Sequence, residues 1–267
     1  MDMWNEIIEL YKDFQAAGIN QAVDYNKFYL YSLITHSTAI EGSTLSEQDT
    51  YILFDEGLTA KGKPLLYHLM NKDLKDAYDY AIIKAEEKTQ ITPDFLKTLN
   101  ALLMHSTGTV HNVMAGSFDS SKGKYRLCSV SAGFKGRSYM NFQKIANKTE
   151  ELCRIVNTEM LSAKTIEQQY KISFLSHLNL VTIHPWVDGN GRTARLLSNY
   201  IQLYYGLFPS KIFVEDREEY INSLKNSQET ENAEFFVSFM ASQLKKSLTQ
   251  ELTAYNKNKN KGFHLMF

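Results

Sequence analysis

Twelve consecutive residues, His184-Pro185-Trp186-Val187-Asp188-Gly189-Asn190-Gly191-Arg192-Thr193-Ala194-Arg195, concentrate the residue types that phosphate chemistry needs. Pro185 disfavours helix at the residue before it, so His184 falls at a helix end, on an exposed corner. Gly189, Asn190 and Gly191 are the residue types that best tolerate positive φ. A turn of that kind lines successive backbone N–H groups into an anion-binding nest. A helix starting near 191 aims its positive end at the same spot. Arg192 and Arg195, three apart, share one face of its first turn. Together these groups suit a polyphosphate. Asp188 adds the hard oxygen that Mg²⁺ favours. His184 adds a base whose ordinary pKa, ~6.5, lies near working pH. Singly, each feature is ordinary: a capping His, a Gly-Asn-Gly turn, a solvated Arg pair. Their coincidence within one short run is what points to chemistry.

The elements that must position this run read as mainly helical. Four prolines, Pro64, Pro93, Pro185 and Pro209, leave 94–184 without a breaker. Apolar residues at three- and four-residue steps predict helices over 2–16, 21–41, 46–56, 64–88, 93–105 and 166–183. Further helices fit 191–205, 216–227 and 232–254. Ser46 with Asp49, and Thr165 with Gln168, are spaced as capping boxes, and Gly18 stands where a C-cap would. The rhythm fails over 107–141. There KYRLCSVSAGFKGRSYM alternates in short stretches, with Gly133 and Gly136 in a turn, and predicts a small β-hairpin laid on a helical body.

Composition sets the outer limits. The 267 residues carry 29 Lys+Arg against 30 Asp+Glu, a net charge of -1, which argues against a nucleic-acid binder. At 43% hydrophobic and 22% charged, the chain is of ordinary soluble type, long enough to bury a core without staples. Two cysteines, Cys128 and Cys153, form neither a disulfide framework nor a four-ligand zinc site. No apolar run approaches a membrane span, and the N-terminus lacks a basic n-region. A cytoplasmic protein without membrane contact is expected.

The 184–195 run resembles the signature of the Fic family, His-x-Phe-x-(Asp/Glu)-Gly-Asn-Gly-Arg-x-x-Arg, departing from it only in Trp186, where the family has Phe. That position anchors the loop in the core, so Trp keeps the role with local repacking. Gly123-Lys124-Tyr125-Arg126 and the hairpin after it look like the family's GxYR segment and flap. The resemblance implies a Fic-type helical bundle with a small β-hairpin flap, divided into an N-terminal helical region (1–62), a Fic core (63–254) and a C-terminal tail (255–267).

It also implies a protein adenylyltransferase that moves AMP from ATP to a Ser, Thr or Tyr hydroxyl of a target protein. His184 would be the general base, and Asp188 would bind Mg²⁺. The amides around Gly189 and Gly191, with the Asn190 side chain, would hold the α-phosphate. Arg192 and Arg195 would hold the β- and γ-phosphates. The flap, including Ser129, Val130, Ser131, Ala132 and Gly133, would pair with the target's backbone. Tyr220 and Asn226 are candidates for the adenine pocket. Ser37-Thr38-Ala39-Ile40-Glu41-Gly42 fits the family's inhibitory pattern, (Ser/Thr)-x-x-x-Glu-(Gly/Asn). Glu41 would pair with Arg195, and the enzyme would be latent until Glu41 is displaced. Relatives that transfer UMP or phosphocholine, or that remove AMP, define the alternatives, as does a nucleotide-binding regulatory module without turnover. Family members often form dimers, so a homodimer is a further expectation.

Overall fold

The computed structural model describes residues 2–131 and 138–260, with side chains to 257. Ten helices and a two-stranded sheet make up the regular structure of these residues, so the fold is mainly α. They fall into two compact units. One joins residues 1–63 to 208–267, and the other is the continuous stretch 64–207.

In the first unit, α1 (Met3–Ala17) buries Trp4, Ile7, Tyr11 and Phe14, one stripe at helical spacing. Gly18 ends it at φ 65°, a left-handed position in which its N–H bonds Gln15 O. Helix α2 (Tyr25–Ile40) is buried on several faces, and Phe14 and Tyr29 both meet Phe208 at ring separations of 4.9 and 4.6 Å. The short α3 (Glu47–Tyr51) opens with the expected Ser46–Asp49 capping box and widens into a π-turn over Ile52–Glu56.

The second unit opens with α4 (Leu65–Glu86) and α5 (Pro93–Leu103). Pro93 sits in the first turn of α5, where its missing N–H costs nothing, and Thr92 Oγ1 caps Phe95 N. Strands β1 (Val110–Val113) and β2 (Gly116–Asp119) pair antiparallel with Val110 opposite Asp119. Helices α6 (Ile145–Ser162), α7 (Ile166–Ile183) and α8 (Asn190–Tyr204) follow. The Thr165–Gln168 capping box starts α7 as its spacing foretold. Tyr78 Oη donates to Asn199 Oδ1 at 2.6 Å, and Gln202 Nε2 to Ser173 Oγ at 2.8 Å, tying α8 to α4 and α7. The last helices, α9 (Arg217–Thr230) and α10 (Glu234–Asn260), return to the first unit, where α1 packs on α10 and Lys245 pairs with Glu6.

Three features depart from the sequence reading. Helix α6 was not foreseen, because its apolar residues, Ile145, Leu152, Cys153, Val156 and Met160, are interleaved with charged ones. The regular β1–β2 hairpin, upstream of the segment expected to form one, was not foreseen. In the expected segment, Ser131 and Ser138 make an antiparallel bridge, and Tyr139 N–H donates to Val130 O at 3.0 Å. Ala132, Gly133 and Gly136 lie outside the described residues. Finally, the compact units are not sequential: residues 208–254, read as part of the core, cluster with the N-terminal helices.

Candidate active site

The corner between α7 and α8 holds the signature. His184 terminates α7 at φ 53° and ψ 61°, a left-handed position that is uncommon for a residue with a Cβ. Its N–H still donates to Leu180 O at 2.9 Å. Its carbonyl accepts from Arg126 Nε at 2.8 Å, and Arg126 N–H donates to Pro185 O at 3.1 Å. Arg126 is fully buried, and its two terminal nitrogens donate to Cys128 O (2.6 Å) and Met140 O (2.5 Å). One guanidinium thus fastens the His184 corner to both sides of the flap's base, as a planar fork of donors can and an ammonium cannot. The imidazole of His184 stacks on Tyr139, with centroids 3.6 Å apart and planes at 16°.

The loop between the helices is closed on itself. Asn190 Oδ1 accepts from Trp186 N (3.0 Å), and Asn190 Nδ2 donates to Trp186 O (2.9 Å). Asn190 is itself 3% exposed, so its side chain shapes the loop. Trp186 is fully buried, and its indole N–H donates to Gly123 O at 2.9 Å, a bond that Phe could not make. Gly189 takes φ 80°, and a Cβ there would sit 2.8 Å from Asn100 Nδ2. Asn100, fully buried on α5, donates to Thr193 Oγ1 (3.2 Å) and Asp188 O (3.4 Å), and so sets the first turn of α8 against α5.

Gly189 is the N-cap of α8, and no side chain caps the helix. The amides of Asn190 and Gly191, in its first turn, have no intrahelical acceptor. Asp188 is exposed. Its Oδ1 accepts from Gly189 N–H at 2.6 Å and lies 3.6 Å from Arg192. Its carboxylate is a hard oxygen donor of the kind that Mg²⁺ takes together with phosphate oxygens. Arg192 and Arg195 are 3% and 5% exposed, unlike a solvated pair. Burial, and then the charge of Arg195, holds the imidazole of His177 on α7 well below its usual pKa, so that ring is neutral.

The structure therefore gathers His184, Asp188, Gly189, Asn190, Gly191, Arg192 and Arg195 at one corner of the second unit, with Ser129, Val130 and Ser131 in the same unit, on the segment after Arg126. The other candidates belong to the first unit. Ser37 is buried near the end of α2, and Glu41 caps that helix at φ -88° with Gly42 after it at φ 99°. Tyr220 is 2% exposed, its ring between Phe236 and Phe239, and Asn226 is exposed on α9. The sequence reading missed Asn100, Tyr139 and the clamping role of Arg126. Asn100 was findable as a polar residue on the apolar stripe of Phe95, Leu96, Leu99 and Leu103.

The chain is similar to known proteins. Residues 90–202 match the Fic/DOC family. The chain is 31% identical over 199 residues to a protein adenylyltransferase Fic of Nematostella vectensis, covering 73% of this chain and 42% of that one. It is 30% identical over 200 residues to protein adenylyltransferase fic-1 of Caenorhabditis elegans, covering 74% and 36%. It thus spans well under half the length of these relatives. The fold matches a Fic domain containing signaling protein from Bacteroides thetaiotaomicron with a TM-score of 0.78, at 22% identity, over 94% of this chain and 97% of that one. A fragment of Fic-1 from C. elegans matches with a TM-score of 0.77, at 22% identity, over 96% and 72%. With the His184–Arg195 corner, the uncapped α8 terminus and the Gly123–Arg126 segment in place, residues 90–202 of this chain form a Fic/DOC family domain.

Proposed function

We propose that the protein is an adenylyltransferase that moves AMP from ATP to a hydroxyl side chain of a target protein. One arrangement carries the reading: a base at the end of α7, followed within one tight loop by an uncapped helix terminus and two buried arginines. The target's hydroxyl oxygen attacks the α-phosphorus, His184 accepts its proton, and the bond from the α-phosphorus to the bridging oxygen breaks. The pyrophosphate leaves with that electron pair. The first-turn amides of α8 face the charge growing on the α-phosphate, where preorganised donors are worth most. Arg192 and Arg195 hold the β- and γ-phosphates, and Asn190 keeps the loop in the shape that presents the amides. Asp188 would hold Mg²⁺, which when bound neutralises charge between the α- and β-phosphates. Residues 129–131 offer the edge along which a target strand adds. Tyr220 and Asn226 remain the proposed adenine contacts, and Ser37, Glu41 and Gly42 the proposed brake.

The test compares wild type, Glu41→Gly and Glu41→Gly/His184→Ala, each with ATP labelled at the α- or the γ-phosphate. We expect label from the α position only, at least tenfold stronger in Glu41→Gly and absent from the double variant. Label from the γ position would mean phosphoryl transfer and would overturn the phosphate assignments. Label that survives in the double variant would overturn His184 as the base.

A further inference from the structure

Resting on the reading of His184 as the base, we infer that Tyr139 is a positioning residue for it, holding the imidazole face-on and in line with the flap. The two rings lie 3.6 Å apart at their centroids and nearly parallel, at 16°. Both partners are anchored. His184 is fixed through its backbone N–H to Leu180 and its carbonyl to Arg126. Tyr139 is fixed by its N–H to Val130 O, next to the Ser131–Ser138 bridge. Met140, the following residue, accepts from the same Arg126 that holds His184. One guanidinium therefore spans both ends of the stack.

The contact engages the face of the imidazole, while its ring nitrogens lie on the edge, off the stacked face. An aromatic face also attracts a cation, so the imidazolium that forms when His184 takes its proton is favoured over the same ring beside an aliphatic group. Tyr139 lies on the strand that returns from the flap. A target strand seated along residues 129–131 would pair with the segment that is bonded to the one carrying the stacking ring. The base and the docking edge thus move as one piece, which suits a reaction whose nucleophile arrives on another protein.

The experiment places Tyr139→Phe and Tyr139→Leu in the Glu41→Gly background, with Glu41→Gly/His184→Ala as reference. Initial labelling rates are measured against ATP concentration and pH, and the His184 ring protons are followed by NMR. Tyr139→Phe should keep the rate within twofold. Tyr139→Leu should lower kcat about tenfold with KM for ATP within twofold, as misaligning a base does. Its acid limb should move to lower pH by about half a unit, as loss of an aromatic face implies. In the resonances, the upfield ring-current shift of His184 should vanish in Tyr139→Leu and persist in Tyr139→Phe.

Unchanged kcat, acid limb and ring shift in Tyr139→Leu would overturn the inference. Equal losses in Phe and Leu would assign the effect to the hydroxyl and overturn the stack as its cause. Labelling that persists without His184 would instead overturn the base itself, while the ring shifts would still decide whether Tyr139 holds that ring.

Discussion

Trp186→Phe restores the residue found in the family signature, and the structure says it should harm this protein. Two losses can be estimated. The indole N–H bond to Gly123 O, 2.9 Å long, disappears in a fully buried place. Gly123 cannot shift to find another donor, because it sits at φ 63° with the Lys97 carbonyl where a Cβ would be. Leaving that buried carbonyl unpaired costs about 1–2 kcal/mol. The smaller ring leaves a void of ~40 Å³, worth about 1 kcal/mol at ~24 cal/mol per Å³. The Asn190 bonds to the Trp186 backbone survive the change, so the loop keeps its outline. The sum is about 2–3 kcal/mol, or a fall in Tm of roughly 5–10 °C. Urea unfolding followed by far-UV circular dichroism should show a lower midpoint at unchanged slope. A variant within about 0.5 kcal/mol of wild type, the ordinary scatter of surface substitutions, would show that the indole bond carries nothing and that the position asks only for an aromatic ring.

Other consequences are open to simple measurements. Gly123→Ala would place Cβ 2.0 Å from Lys97 O. It should cost well over 3 kcal/mol, whereas Gly62→Ala, at φ 76° in open space, should cost only about 1. Comparable Tm values for the two would refute the crowding argument. Arg126→Lys keeps the charge but cannot serve three carbonyls, so it should lose about 2–4 kcal/mol and most of the labelling in the Glu41→Gly background. Wild-type stability in Arg126→Lys would sink the clamp. His177 is held neutral in the folded chain, while unfolded it titrates near its ordinary ~6.5. Below that value the unfolded chain takes up a proton that the folded one refuses, so stability falls as pH drops, by up to ~1.4 kcal/mol per unit. His177→Gln should flatten the slope between pH 6.5 and 5, and an unchanged slope would mean that His177 accepts the proton in place.

The candidate corner was legible because its parts are contiguous: a helix stop, a turn of positive-φ residues and a helix start follow one another within twelve positions. The helices before and after it were legible because caps are local, as Thr165 with Gln168 and Ser46 with Asp49 show. What escaped depends on partners distant in sequence. Arg126 looked like one residue of a short motif, although its guanidinium is defined by three carbonyls from two other segments. Tyr139 had no periodicity to mark it, since its role depends on a ring on another element. Helix α6 was hidden by its own charge, because propensity without a clean stripe gives little signal. The return of 208–260 to the N-terminal helices follows from packing that no linker or composition shift announces.

The left-handed backbone of His184 has an evolutionary consequence. A side chain with a Cβ in that conformation costs about 1–2 kcal/mol relative to glycine, and asparagine bears it more easily than most residues. The residue proposed to remove the proton is thus not the one the fold itself would choose there. Any lineage in which selection for the reaction relaxes is free to gain stability by replacing this histidine with glycine or asparagine, and inactive members of such a fold should outlast active ones on folding grounds alone. Persistence of histidine at this corner is therefore a record of continued use.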